Sequence, residues 1–326
     1  MIPASVLGLR AGAGPGVGEA LAPEDLSTPL PARRVFVPGP DLCVNCMDSG
    51  GDGLPVVLIH GLSCTMGFWQ RQVPALVEAG HRVLALDLPG FGHSDKPDVS
   101  YSPGWYASVV SAWLAVLGVR RFVLVGHSMG GQIALHLVLQ ARSRSPDRVI
   151  GLVLAAPAGV ETFRPEAARW MMDYWTEARA LNTPADEIRA NFTQLVFNRV
   201  DEGVLRLLDE RLRLQRHPSF REVSRAVSRA VRGMLEQPVF DRLGEIRAPT
   251  LLVFGDADRL IPNPVFNPGS SVAVAERGAA AIPGAELVVL AGAGHMVQHD
   301  DPSGMNAALC SFLERRLSAE TEQKRV

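Results

Sequence analysis

Lysine is nearly absent from this chain. Of its 32 basic side chains among 326 residues, only Lys96 and Lys324 are lysines. The arginines that make up the rest face 34 carboxylates, for a formal net charge of −2. So even a balance offers no positive field, and neither nucleic acid nor an anionic membrane surface is expected as a partner. Long apolar runs are missing too. No stretch reaches the ~18 residues of a membrane span, so none is expected. The first 22 residues are rich in Ala and Gly but lack a basic leader, and Arg10 interrupts them, which argues against a secretion signal. Residues 1–32 are expected to form a flexible N-terminal lead-in.

Cysteine is scarce: Cys43, Cys46, Cys64 and Cys310. Cys43 and Cys46 form a C-x-x-C, but zinc would need a second Cys or His pair at similar spacing, and none follows. On a strand the two thiols would also point to opposite faces. They read as small buried hydrophobes, and a reducing, cytoplasmic compartment is expected.

What is present is apolar and ordered. Hydrophobic residues make up 47% of the chain, ample for a large core. Residues 34–37 and 42–47 read as short strands around the turn signal Pro38-Gly39-Pro40-Asp41, hence a hairpin. Apolar runs at 55–59, 82–86, 121–125 and 149–155 read as buried strands. They alternate with helical patterns at 68–79, 105–117 and 132–139. Strands alternating with helices predict a mostly parallel central sheet with helices on both faces. The pattern resumes after 249 with a strand at 251–254, a helix near 270–280, a strand at 286–290 and a closing helix over 303–316. From 158 to 248 the strands vanish. Helical stripes at 165–181, 184–197, 202–216 and 220–235 suggest an inserted helical cap over the carboxyl ends of the strands, where open α/β sheets place their sites. The expected organisation is a core of 33–157 and 249–318, a cap of 158–248 and a tail of 319–326.

Gly126-His127-Ser128-Met129-Gly130 lies where the strand at 121–125 meets the next helix. Gly-x-Ser-x-Gly at such a junction is a nucleophile elbow: a tight turn that leaves the serine hydroxyl exposed beside a helix N-terminus. A serine needs a base, and the base needs an orienting acid. Asp256 and Asp258 follow the strand at 251–254, and His295 follows the last strand within Gly292-Ala293-Gly294-His295. The order Ser, Asp, His at strand ends is that of the α/β-hydrolases, which this chain resembles over about residues 34–316.

The resemblance implies an α/β-hydrolase fold and a set of roles. It makes Ser128 the nucleophile, His295 the base and Asp258 the acid, with Asp256 as the alternative. Backbone N–H groups of Leu62, in His60-Gly61-Leu62-Ser63-Cys64, and of Met129 would form the oxyanion hole. Trp69 and Asp87-Leu88-Pro89-Gly90-Phe91-Gly92-His93-Ser94 match structural motifs of the family. His299 could form a metal pair with His295, but no carboxylate pattern completes it. Neither a metal nor an organic cofactor is expected.

The expected activity is hydrolysis of a small to medium, hydrophobic carboxylic ester through an acyl-enzyme on Ser128. Alternatives within the fold are a lactonase, a thioesterase or a carbon–carbon bond hydrolase. That last group often has Asn before the serine and a glycine-rich loop after His-Gly; His127 and Leu62-Ser63-Cys64 depart from both. From another class, the chain could be a ligand-binding, receptor-like protein with little turnover. Among the aromatic residues of the cap, Trp170, Trp175 and Phe192 are candidates to line the substrate pocket. A monomer or homodimer acting on a small-molecule ester is expected.

Overall fold

Five-residue runs such as Pro55-Val56-Val57-Leu58-Ile59 have no polar side, so they must be covered on both faces. The computed structural model, which describes residues 27–141 and 148–323, covers them so. Eight strands form one sheet: β1 (Ala32–Val37), β2 (Leu42–Asp48), β3 (Pro55–Ile59), β4 (Arg82–Leu86), β5 (Phe122–His127), β6 (Val149–Ala155), β7 (Thr250–Gly255) and β8 (Glu286–Leu290). Their spatial order is β1-β2-β4-β3-β5-β6-β7-β8. The predicted hairpin supplies the antiparallel pairings of β1 with β2 and β2 with β4, and β3 to β8 are parallel.

Alternation along the strands divides the core. Val57, Ile59, Leu124, Leu154 and Phe254 pack on one face, with α2 (Pro103–Val116), α3 (Met129–Ala141) and α9 (Ser271–Ala281). Val56, Leu58, Val125, Val153 and Val253 pack on the other, with α1 (Val73–Glu78) and α11 (Pro302–Gln323). Burial of this kind stabilises by about 25 cal/mol per Å² of apolar surface removed from water.

Between β6 and β7 the chain is helical, as its stripes predict: α4 (Pro165–Tyr174), α5 (Glu177–Leu181), α6 (Ala185–Asn191), α7 (Glu202–Arg216) and α8 (Phe220–Glu236). Several expected helices are broken. The run at 165–181 divides because Trp175 leaves helical geometry and the Thr176 hydroxyl caps α5 by accepting the N–H of Arg179 at 3.1 Å. The run at 184–197 ends in a π turn over Phe192–Val196. The run at 68–79 gives a 3₁₀ turn (Met66–Trp69) and only then α1, with Pro74 in its first turn. Proline there has no N–H to continue a helix from the preceding turn. A short helix, α10 (Val297–Asp300), was not expected.

The termini differ from expectation where they are described. Residues 1–26 of the expected lead-in lie outside the described residues, but Ser27 is held by the buried carboxylate of Glu210 on α7. The closing helix runs on to Gln323, so 319–323 of the expected tail is helical. Among the described residues no helix is long and apolar enough to cross a membrane.

Candidate active site

Ser128 sits between β5 and α3 with φ of +52°, a left-handed conformation that costs a non-glycine residue roughly 1–3 kcal/mol. Its neighbours make the turn possible. A Cβ on Gly126 would lie 2.3 Å from the Gly130 carbonyl oxygen, and one on Gly130 would lie 2.3 Å from that of Ile59. The Ser128 N–H donates to the Ala155 carbonyl at 3.0 Å, tying the turn to β6. Met129 begins α3, so its N–H belongs to the first helical turn and has no partner within the helix.

His295 and Asp258 come together from separate loops. The His295 Nδ1 donates to Asp258 Oδ2 at 2.9 Å, and the Asp258 side chain is fully buried. The other oxygen, Oδ1, accepts the N–H groups of Leu260 (2.7 Å) and Ile261 (3.0 Å). A carboxylate held at both oxygens fixes the imidazole's rotation and tautomer, leaving Nε2 as its basic nitrogen. Asp256, the alternative acid, is exposed and accepts the Gly292 N–H at 2.7 Å, a turn-forming role. The two loops meet because residue 255 is glycine: a Cβ there would lie 2.0 Å from the Ala293 carbonyl oxygen.

Histidines surround the pair without joining it. His127, predicted as packing, is buried and bonds through Nε2 to the His295 carbonyl at 3.0 Å. Burial, together with the nearby His295, holds it well below the usual histidine range. His60 accepts the Leu88 N–H at Nε2, so its Nδ1 carries the proton and donates to the Gly61 carbonyl at 2.8 Å. Burial likewise lowers its pKa and keeps it neutral. A Cβ on Gly61 would lie 2.9 Å from His127 Nδ1, so glycine lets this loop approach the elbow. His299 bonds through Nε2 to the Phe68 carbonyl at 2.9 Å, and among the described residues no group of three or more metal-binding side chains is present.

Two cavities meet at the serine. One of about 660 Å³ and one of about 430 Å³ are both lined by Leu62, Ser128, Trp175, Leu260 and His295. The larger lobe extends toward Phe163, Met171, Met234 and Phe240, the smaller toward Phe68, Phe192, Phe220 and Arg211. Of the expected pocket residues, Trp175 lines both lobes and Phe192 the smaller. Trp170 lines neither: it is half exposed and stacks on Tyr174 at 5.1 Å, on the outer side of α4.

Sequence reasoning missed the ties between insertion and site. Asp300 is buried and accepts the N–H groups of Gly294 (2.8 Å), Asn198 (3.0 Å) and Arg199 (2.8 Å). The Asn198 side chain donates in turn to the carbonyls of Ala257 and Gly292, in the loops that carry Asp258 and His295. Gln132, on the first turn of α3, donates to the carbonyls of Met234 and Gln237 at the end of α8. No local pattern marks these residues, because each acts on backbone groups far away in sequence.

Known proteins resemble this chain over most of its length. A sequence model of the alpha/beta hydrolase family matches residues 56–308. The chain belongs to this family. A Mycobacterium tuberculosis protein, itself uncharacterized, is 30% identical to this α/β hydrolase over 289 residues, covering 84% of this chain and 79% of its own. A 2-hydroxy-6-oxo-6-phenylhexa-2,4-dienoate hydrolase of Comamonas testosteroni is 29% identical over 280 residues, 82% of this chain and 91% of that one. Among solved structures, a Pseudomonas aeruginosa PAO1 protein described as a probable hydrolytic enzyme superposes with a TM-score of 0.76 at 27% identity, covering 88% of this chain and 94% of its own. Structures of an esterase and of an N-acyl homoserine lactone degrading enzyme also match.

Proposed function

We propose that this α/β hydrolase is a serine esterase that cleaves small to medium carboxylic esters. The observation that carries the reading is His295, bonded to the buried Asp258 at 2.9 Å and lining the same cavity as Ser128. In the proposed reaction His295 Nε2 takes the proton from Ser128 Oγ as the oxygen attacks the ester carbonyl. The backbone N–H groups of Leu62 and Met129 receive the oxyanion. Collapse of the adduct expels the alcohol with the proton from His295 and leaves an acyl-serine. A water deprotonated by His295 then releases the acid and restores Ser128. Asp258 stays ionised and stabilises the imidazolium that forms twice in the cycle.

The helical insertion serves as the cap. It excludes water from the reacting centre, and its apolar walls favour hydrophobic acyl or alcohol groups. The four thiols are unpaired, which suits a cytoplasmic protein. Replacing Ser128 by Ala should lower kcat on a nitrophenyl ester by about 10⁴–10⁶ and abolish labelling by a fluorophosphonate, with the circular dichroism spectrum unchanged. Substantial turnover by Ser128→Ala would sink the assignment. A single round of labelling in the wild type without repeated turnover would favour a receptor instead.

The Comamonas relative's name supports a second reading, hydrolysis of a carbon–carbon bond beside a ketone. His127 and the Leu62-Ser63-Cys64 loop weigh against it here. Assaying a vinylogous 1,5-diketone beside the ester decides between them.

A further inference from the structure

Helix α7 carries four arginines, at 206, 211, 213 and 216. Arg211 differs from its neighbour Arg213, which pairs with Asp209 at 3.1 Å. Arg211 lines the smaller lobe. Burial brings its guanidinium down to about 10, and the one ionisable group acting on it is the Cys64 thiol. That thiol is itself pushed up to about 12 by burial, so it stays neutral and supplies no counter-charge. Arg211 Nη1 is buried and has no hydrogen-bond partner among the described residues. The guanidinium lies over the Phe220 ring, 4.8 Å from its centroid. The other cation of the lobe, Arg179, is already paired with Glu187. The walls of the lobe are mostly apolar, with Phe68, Ile188, Phe192 and Val227 among them; Ser63, Thr183, Asn191 and Glu187, the partner of Arg179, also line it.

A charge removed from water without a partner costs several kcal/mol, and an apolar residue of similar size would fit these walls without that cost. A guanidinium stacked on an aromatic ring keeps its edge donors free, and their fork matches a carboxylate at both oxygens. One uncompensated positive charge among apolar walls suits a monoanion; a phosphate dianion would need further donors. The same lobe is lined by Ser128 and His295, so an anion bound there belongs to the molecule that reacts.

We propose that Arg211 is the anion subsite of the cavity, and that the ester cleaved at Ser128 carries a carboxylate on the limb filling the smaller lobe, as does a monoester of a dicarboxylic acid. The proposal rests on the esterase reading and adds the class of substrate. Arg211 is a binding residue here and takes no part in proton transfer.

The test uses nitrophenyl monoesters of succinic, glutaric and adipic acid, each beside its neutral methyl-capped counterpart. For at least one length, wild-type kcat/KM should favour the monoanion by roughly tenfold or more, the worth of one charge-assisted hydrogen bond. In Arg211→Met that ratio should fall to about one, mainly through KM. The Tm of Arg211→Met should equal or exceed that of the wild type, since an unpaired buried charge has gone. A wild-type ratio at or below one for all three lengths overturns the proposal, as does a ratio that survives in Arg211→Met. Should the variant not fold, inhibition of the wild type by glutarate and by glutaramide decides the matter: clearly tighter diacid binding supports the subsite, equal inhibition overturns it. If no ester is turned over and Ser128 takes no fluorophosphonate, the esterase reading has failed by itself. The anion subsite then stands or falls on whether glutarate, and not glutaramide, raises the Tm.

Discussion

The sheet core and the helical insertion both border Ser128, but they are built by different rules. In the core, backbone approaches backbone. Gly126, Gly130 and Gly255 stand where a Cβ would lie within 2.3 Å of a carbonyl oxygen, so the turns around Ser128, Asp258 and His295 admit almost no other sequence. In the insertion, side chains mostly meet side chains, Gly233 of α8 against the Ser102 backbone being an exception at the seam. Leu208 and Leu212 pack with Ile188 because stripes face each other, and many apolar residues could serve there. The turns that carry Ser128, Asp258 and His295 are therefore held by residues that steric exclusion dictates, and the insertion's share of the cavity walls by residues that it does not.

The sharpest way to break this comparison is to exchange carboxylates two residues apart. Asp258→Asn should lower kcat by about 10⁴, because the amide no longer holds the right imidazole tautomer. Asp256→Asn, which loosens only a bond to the Gly292 N–H, should stay within about threefold. Steady-state kinetics on one nitrophenyl ester checks both; similar losses would remove the assignment of the acid.

Next come the glycines. Gly130→Ala should destabilise by at least ~3 kcal/mol in urea melts, since the obstacle is the Ile59 carbonyl and the backbone must shift. Gly203→Ala, in the first turn of α7, meets only side-chain ends: Arg71 at 3.1 Å, Asp201, whose Oδ1 caps the helix by accepting the Val204 N–H, at 3.2 Å, and Arg206 at 3.7 Å. That change should cost under ~1 kcal/mol or stabilise slightly, because alanine favours helix. Equal costs would show that the insertion is as tightly constrained as the core.

The smallest effect belongs to the seam between the regions. His299 of α10 packs edge-on against Phe68 of the core and Phe197 of the insertion. Burial lowers its pKa to about 4. The unfolded chain takes up this proton near pH 6.5, before the folded protein does. Stability should therefore fall as pH drops from about 6.5 to about 4, by on the order of 2–3 kcal/mol from this residue, and then level off. His299→Gln, which can keep a donor for the Phe68 carbonyl, should flatten part of that slope in urea midpoints measured from pH 7 to 4. An unchanged slope would clear His299 of the effect.

Most of the core was legible because its signals are local and mutually consistent. Apolar runs marked β3 to β7, and turn residues marked the hairpin. The elbow announced itself through two glycines and its place after a strand. Asp258 and His295 were legible through their position at strand ends. Legibility faded where structure depends on distant partners. Nothing within α7 separates Arg211 from its other arginines, because what sets it apart is its place against Phe220 of α8 and beside the smaller lobe. Trp170 looks like a pocket residue in sequence, yet α4 turns it outward. The breaks at Trp175 and after Asn191 interrupt sound helical periodicity, since an amphipathic stripe records which face is buried and says little about where the helix bends.

Asn198 and Arg199 fix the insertion roughly midway along its length, through Asp300 and the Ala257 and Gly292 carbonyls. Gln132 ties the far end of α8 to the first turn of α3 in the same manner. The insertion is thus riveted to backbone groups of the very loops that carry Asp258 and His295, so a change that loosens this seam reaches those two side chains before it reaches the sheet.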